Sequence, residues 1–266
     1  MNITEALRRT ISYIDFFYHS RTIQRIHSPF VFNLLNDVFN DKKNNDDITK
    51  IHSLIKELKK DNTSFVHTDF GASNEKEQLS IKKKKIKTIA KKVISSKKEG
   101  RILFNITKHF QPKTILELGT SFGIGTSYMA MGNPSANIIT MEGCPETIKI
   151  ANKNLKKLNI NNVKIVEGDF RNTLNTTLNT INKLDFVYFD GNHREEPTIE
   201  YFEKCLKKAH NDTIFFFDDI NWSKGMKIAW ERIINHDKTI VSINFYFFGM
   251  IFFRKEMTKQ KFIIRI

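Results

Sequence analysis

The chain has 266 residues, a formal net charge of +14, 40% hydrophobic residues and a mean hydropathy of −0.39. That length can bury one substantial core, or one core and a small accessory domain. No run approaches the roughly 18 apolar residues a membrane span requires, so no membrane partner is expected. The first residues carry Glu5 and lack the short apolar core and small-residue cleavage site of a signal peptide. Cys144 and Cys205 have no metal-ligand spacing and read as reduced thiols. A cytoplasmic location is the plain expectation.

Residues 1–110 read as a helical N-terminal extension. Residues 3–18 place apolar and aromatic side chains at helical spacing. Ser28-Pro29 is a helix-start signal, with Ser as cap and Pro at the first helical position. Residues 41–47 are polar and read as a loop, and 48–58 as a short amphipathic helix. The stretch 64–74 contains Asp69-Phe-Gly-Ala-Ser73, a loop with a φ-permissive glycine. Helices are predicted over 78–95 and 101–110. The first of these carries the densest basic cluster, Lys82 to Lys85, continuing into Lys87, Lys91 and Lys92. Ile86, Ile89, Ala90, Val93 and Ile94 would form its other face. A solvated helix face explains those lysines, and the Lys-, Asn-, Ile- and Phe-rich composition is what an AT-rich coding bias yields. Nucleic acid is therefore disfavoured as a partner, although the charge leaves it open.

After Pro112 the pattern alternates strand and helix over 111–266, which argues for a parallel sheet with helices on both faces. Residues 115–118 are a short apolar run, read as a buried strand. It enters a loop with Gly119, Gly123 and Gly125, and an amphipathic stretch follows from Ser127. Strand, glycine loop and helix bring backbone close to a nucleotide. The spacing is G-x-x-x-G-x-G, not the dinucleotide fingerprint G-x-G-x-x-G. Glu117 precedes the first glycine by two positions. A carboxylate there repels a pyrophosphate and suits a cationic nucleoside. Further strands are read at 137–141, 163–166, 184–189 and 213–217, each followed by an acid: Glu142, Glu167 with Asp169 after Gly168, Asp190, and the pair Asp218 and Asp219. Helices start near Pro145, Glu195 and Lys224. Residues 240–248, 250–254 and 262–266 are β-rich, with Gly249 read as a tight turn or bulge. Their phenylalanines read as sheet core.

The ordered series from Thr114 to Asp219 resembles the class I S-adenosylmethionine-dependent methyltransferases, whose first motif is E-x-G-x-x-x-G. The resemblance implies a Rossmann-like, mostly parallel sheet of seven strands that ends with an antiparallel C-terminal strand. It implies S-adenosylmethionine as cofactor, held by Glu117, Gly119, Thr120, Ser121, Gly123, Gly125 and Thr126. Glu142 would take the ribose hydroxyls, and Gly168 and Asp169 would lie near the adenine, with Asp190 also at the cofactor. Asp169 is equally a helix cap in such a loop.

Asp190-Gly-Asn-His193 and Phe217-Asp-Asp-Ile-Asn-Trp222 leave neighbouring strands, by the motif order. Three carboxylates on strand ends suit a hard cation such as Mg²⁺. The arrangement resembles cation-dependent O-methyltransferases of the catechol and caffeoyl-CoA type, whose Asp-Asn pair is Asp218-Asp219 here, with Trp222 at the same spacing. It also resembles the macrolide-sugar O-methyltransferases, whose D-G-x-H motif ends in a general base. Asp190 and His193 match that motif. The lysine of the catechol type is absent. The resemblance implies a metal at Asp190, Asp218 and Asp219, and catalysis by His193 with Asp190. Read without it, the same acids are helix caps or solvated turn residues, and His193 is a surface imidazole. Trp222, Phe70 and Asp69 are candidates for an acceptor pocket, or ordinary packing.

The expected function is O-methylation of a small hydroxylated acceptor, by an enzyme that self-associates as a homodimer. Two alternatives stand beside it: a nucleic-acid methyltransferase, supported by charge, and a non-catalytic cofactor-binding protein. Asp190-Gly-Asn-His193 stands where amino-methylating DNA enzymes carry Asp/Asn-Pro-Pro-aromatic, and that weighs against the first.

Overall fold

The computed structural model describes residues 3–41, 45–70, 80–93 and 97–266. Its two compact units are residues 34–177, and residues 1–33 with 178–266.

The unit of residues 34–177 begins with helical segments. Helix α3 (Asp46–Leu58) starts where Asn45 Oδ1 accepts from the amides of Asp47 (2.8 Å) and Ile48 (3.2 Å). Asp46 and Asp47 also face the positive end of the helix dipole. Ile48, Ile51, Leu54, Ile55 and Leu58 are buried at helical spacing. Strands β1 (Ser64–Asp69) and β2 (Ser80–Lys85) then pair antiparallel, from Ser64 opposite Lys85 to Asp69 opposite Ser80. Helices α4 (Ile86–Val93) and α5 (Lys97–Phe110) follow.

The residues that lead into the predicted 69–73 loop are strand as far as Asp69. The hairpin corrects one expectation. The helix predicted from residue 78 begins only at Ile86, because 80–85 are strand. Four successive lysines favour helix by intrinsic propensity and show no alternation of apolar and polar residues. Only pairing with β1 makes them a strand, and sequence spacing does not reveal a cross-strand partner. The lysines remain solvated, as expected, with Lys82, Lys83 and Lys85 exposed. Gly71, Ala72 and Ser73 of the 69–73 loop, and Ile94 of the predicted helix, lie outside the described residues.

The same unit contains the alternation β3 (Thr114–Leu118), α6 (Ile124–Gly132), β4 (Asn137–Glu142), α7 (Pro145–Lys157) and β5 (Val163–Glu167). Helix α8 (Phe170–Asn179) follows, and the division between units falls in its last turn. β4 lies between β3 and β5 and is parallel to both. This is the predicted order, and it places the ends of β3 and β4 side by side, with Leu118 opposite Met141.

The other unit opens with α1 (Ile3–His19) and α2 (Pro29–Leu34). The amide of Val31 lies 3.5 Å from Ser28 Oγ, at the predicted helix start. The chain continues from Leu178 through β6 (Leu184–Phe189), α9 (Glu195–Leu206), β7 (Ala209–Asp218), α10 (Lys224–Asn235), β8 (Val241–Asn244), β9 (Phe248–Phe252) and β10 (Gln260–Ile263). β6 and β7 are parallel, β9 is antiparallel to both β7 and β8, and β10 pairs parallel with β8. The main sheet strands are therefore β3 to β10, eight where seven were expected. The antiparallel strand is β9, with β8 and β10 beyond it. The extra strand is held at its far end by a bridge from Arg21 to Ile264.

The phenylalanines are sheet core. Phe215, Phe216 and Phe217 are buried, Phe217 stacks on Phe189 at 4.3 Å, and Phe216 stacks on Phe248 at 4.8 Å. Gly249 is not a turn. It lies within β9, where a Cβ would stand 2.4 Å from the Trp230 ring, so close packing demands glycine. The turn between β8 and β9 is made around Tyr246, at φ 74°. No helix among the described residues is long and apolar enough to cross a membrane.

Candidate active site

In the unit of residues 34–177, the turn after β3 is built from backbone. Gly119, Ser121 and Gly123 have φ of 111°, 47° and 75°. The left-handed conformation at Gly123 directly precedes α6, where a Cβ would add strain. The amides of Gly119 and Thr120 both donate to Met141 O at 3.0 Å, tying the turn to the end of β4.

Glu117 lies beneath this turn and is 1% exposed. Its Oε2 accepts from Thr126 Oγ1, and from Thr140 Oγ1 at 2.5 Å. Thr120 Oγ1 and Thr140 Oγ1 share a further hydrogen bond of 2.6 Å. Burial pushes the Glu117 carboxyl up and the two hydroxyl donors pull it down, which leaves it at about 7. Glu117, Thr120 and Thr126 are thus gathered as expected, but as a buried support. The parts of the motif with surface exposure are Gly119, Ser121 and Gly125.

Glu142 ends β4. Its Oε2 accepts from the amide of Ser121 (2.9 Å) and its Oε1 from the amide of Cys144 (2.9 Å). Burial raises its pKa, against these backbone donors. The Gly143 backbone also stabilises this carboxylate, and a carboxylate has about four acceptor positions, so capacity remains for a ligand's hydroxyl. The amide of Gly168, at φ 132°, donates to Glu142 O at 2.9 Å. Asp169 immediately precedes α8 and accepts from the amide of Arg171 (2.9 Å), as a helix cap does. The guanidinium of Arg171 also bridges its carboxylate at 2.7 Å.

In the other unit, Asp190 and His193 leave β6, and Asp218 and Asp219 leave β7. His193 Nε2 lies 3.7 Å from Asp190 Oδ1 and 3.9 Å from Asp219 Oδ2. Asp218 Oδ1 accepts from the amide of Asp219 at 2.8 Å, and Asp219 has φ 53°. Burial and the charge of Asp218 push the Asp219 carboxyl up to about 6, while His193 and Arg9 pull it down. Among the described residues, no group of three or more His, Cys, Asp or Glu side chains is placed to hold a metal ion.

Several residues here carry no sequence signal. Asn192, at φ 55°, fixes the 190–194 turn: its Nδ2 donates to Tyr201 Oη (3.1 Å) and its Oδ1 accepts from Arg194 Nε (2.8 Å). From α1, Arg8 Nη2 donates to Trp222 O at 3.1 Å and Arg9 Nη2 to the same oxygen at 2.7 Å. The Arg9 guanidinium lies 3.9 Å over the Trp222 ring, a cation–π contact. Trp222 is half-exposed.

Residues 116–220 match the family described as a methyltransferase domain. The catechol O-methyltransferase of Mycobacterium tuberculosis is 24% identical over 131 residues, 48% of this chain and 58% of that protein. That of Niastella koreensis is 28% identical over 128 residues, 47% of this chain and 57% of that protein. The chain thus spans less than two thirds of the length of these relatives. The O-methyltransferase from Bacillus cereus, solved in complex with SAH, has a similar fold. Its TM-score is 0.57 at 17% identity, covering 84% of this chain and 97% of that one. Over residues 116–220 the chain is similar to this methyltransferase domain family, and its fold is similar to that of the O-methyltransferase structure.

The Glu117 environment sets a pH dependence. Its folded-state pKa lies above the 4.5 of an ordinary Glu, so folding favours the protonated carboxyl. The stabilisation is complete below about pH 4.5 and is lost as pH rises through about 7. Glu117→Gln keeps the shape and removes the charge. Urea unfolding at pH 5 and pH 8 should show the wild type losing more stability than the variant, by on the order of 1–3 kcal/mol. Equal losses would mean that Glu117 does not titrate in this range.

Proposed function

We propose that this chain is an S-adenosylmethionine-dependent O-methyltransferase acting on a small hydroxylated molecule, with residues 111–266 as the catalytic portion. One observation carries the cofactor assignment. The Glu142 carboxylate, at the end of β4, is held by the amides of Ser121 in the glycine turn and of Cys144. Two oriented amides fix it with acceptor capacity to spare, which suits a ribose hydroxyl. The exposed backbone of Gly119, Ser121 and Gly125 offers a close approach to the rest of the cofactor, without side chains in the way. When bound, S-adenosylmethionine supplies an electrophilic methyl group. The catechol O-methyltransferases similar to this chain support an oxygen acceptor.

His193 is the proposed general base. The imidazole would take the proton of the acceptor hydroxyl as that oxygen is methylated. An imidazolium at His193 faces the carboxylates of Asp190 and Asp219, which compensate its charge. Asn192 holds the turn that carries the base.

A divalent cation at Asp190, Asp218 and Asp219 belongs to the same proposal. Their oxygens are the donors a hard cation takes. As placed, the three do not converge, and one oxygen of Asp218 is engaged by a backbone amide. Gathering them requires side-chain movement.

Three measurements test this reading. Glu142→Ala should weaken calorimetric binding of S-adenosylhomocysteine by about 1.5–3 kcal/mol, the value of a charge-assisted hydrogen bond. Unchanged affinity would remove Glu142 from the cofactor site. His193→Ala should retain cofactor binding and lose about 10²–10⁴-fold in single-turnover rate on an accepted catechol or related hydroxyl compound. A loss below about tenfold would leave His193 as a surface imidazole. Chelation by EDTA should abolish turnover and Mg²⁺ should restore it. Full activity in EDTA would return the three acids to capping and hydrogen bonding.

A further inference from the structure

The hairpin of β1 and β2 precedes the matched methyltransferase domain, yet its first strand lies on the turn that carries Glu142. Three alternate residues of this segment make the contact. Cys144 Sγ donates to Val66 O at 3.7 Å and accepts from the amide of Thr68 at 3.3 Å. The ring of Phe70, two residues further, covers Gly143. A Cβ at Gly143 would stand 2.6 Å from both Cδ2 and Cε2 of Phe70. No real Cβ tolerates that separation, so the glycine and the ring are matched in shape. Val66 and Thr68 make their contacts through backbone groups, and Phe70 through its ring.

Gly143 is flanked by the two residues that matter most for Glu142. On one side is Glu142 itself. On the other is Cys144, whose amide holds Glu142 Oε1. If the turn shifts, that amide moves away from the carboxylate. The carboxylate would then be held by fewer bonds, and a more loosely held side chain samples more than one rotamer. A covering ring on Gly143 opposes that shift without touching the carboxylate.

We propose that Phe70 is a positioning residue for the nucleoside end of the cofactor, acting through the Gly143 turn to hold Glu142 in its ribose-binding orientation. The inference rests on the cofactor assignment above and gives the accessory hairpin a role in it. In the sequence, Phe70 is one aromatic in a polar stretch. Its relation to Gly143 exists only once β1 lies along the β4–α7 connection.

The test is a double-mutant cycle read by calorimetry with S-adenosylhomocysteine, on the full chain. Phe70→Ala should weaken binding by on the order of tenfold, and Phe70→Leu, which still covers Gly143, should restore most of it. In a Glu142→Ala background, Phe70→Ala should cause little further loss, because the group it positions is gone. Methylthioadenosine, which keeps the nucleoside and lacks the amino acid, should show the same pattern. Wild-type affinity in Phe70→Ala, or losses that add fully in the double variant, would overturn the inference. If Phe70→Ala does not fold, Gly143→Ala displaces the ring from the other side and should weaken binding alike; wild-type affinity there overturns it too. Absence of S-adenosylhomocysteine binding by the wild type would instead fell the cofactor assignment, and this inference with it.

Discussion

The buried carboxylate of Glu117 is the constraint on which the cofactor half of this protein depends. One of its oxygens accepts from Thr126 at the start of α6 and from Thr140 in β4, so a single group ties strand, helix and neighbouring strand. Burying a carboxyl is costly unless its oxygens find donors, and burial here raises the pKa to about 7. That arrangement frees the turn above it to be mostly backbone. Gly119 and Thr120 then share one acceptor on β4, and Ser121 is left with its amide aimed at Glu142. The acid of the E-x-G-x-x-x-G motif therefore works in this chain as a support for the surface that receives a ligand.

The unit of residues 1–33 and 178–266 solves a different electrostatic problem. Asp218 and Asp219 are adjacent acids at the end of β7, and one amide bond between them turns Asp218 toward the backbone of Asp219. Asp219 is held in a left-handed conformation, close to His193. Burial and the charge of Asp218 raise the Asp219 pKa, and His193 and Arg9 on the other side limit the rise. Arg9 comes from the first helix. Its guanidinium lies on the Trp222 ring and donates to the Trp222 carbonyl. The N-terminal helix thus contacts the loop after β7, within the same compact unit.

The N-terminal segments meet the later elements at loops: α1 on the loop after β7, and β1 on the turn after β4. A connecting loop has exposed backbone carbonyls and amides that need partners. Arg8 and Arg9 supply them for the carbonyl of Trp222, and Val66 and Thr68 supply partners for the Cys144 thiol. An extension built this way stiffens loops without altering the strand order that the methyltransferase class shares.

The sequence by itself determined the α/β alternation from Thr114, a mostly parallel sheet, the glycine turn, and the acids at the strand ends. These are local signals: apolar runs of strand length, turn residues at fixed offsets and caps before helices. Glu142, Asp190 and His193 were legible because a strand end is a fixed place in such a fold. Other features were decided only by the tertiary structure. Lys82 to Lys85 form a strand because β1 lies beside them, against their intrinsic preference. Gly249 is required by the Trp230 ring, 19 positions earlier in the chain, and not by a turn. The eighth main-sheet strand, β10, exists because β8 offers it an edge. Arg9 on Trp222 and Phe70 on Gly143 join residues more than 70 positions apart. Spacing along a chain encodes which face of a helix or strand a residue occupies. It does not encode which distant face packs against it, and that choice is made by burial and hydrogen-bond satisfaction of the whole fold.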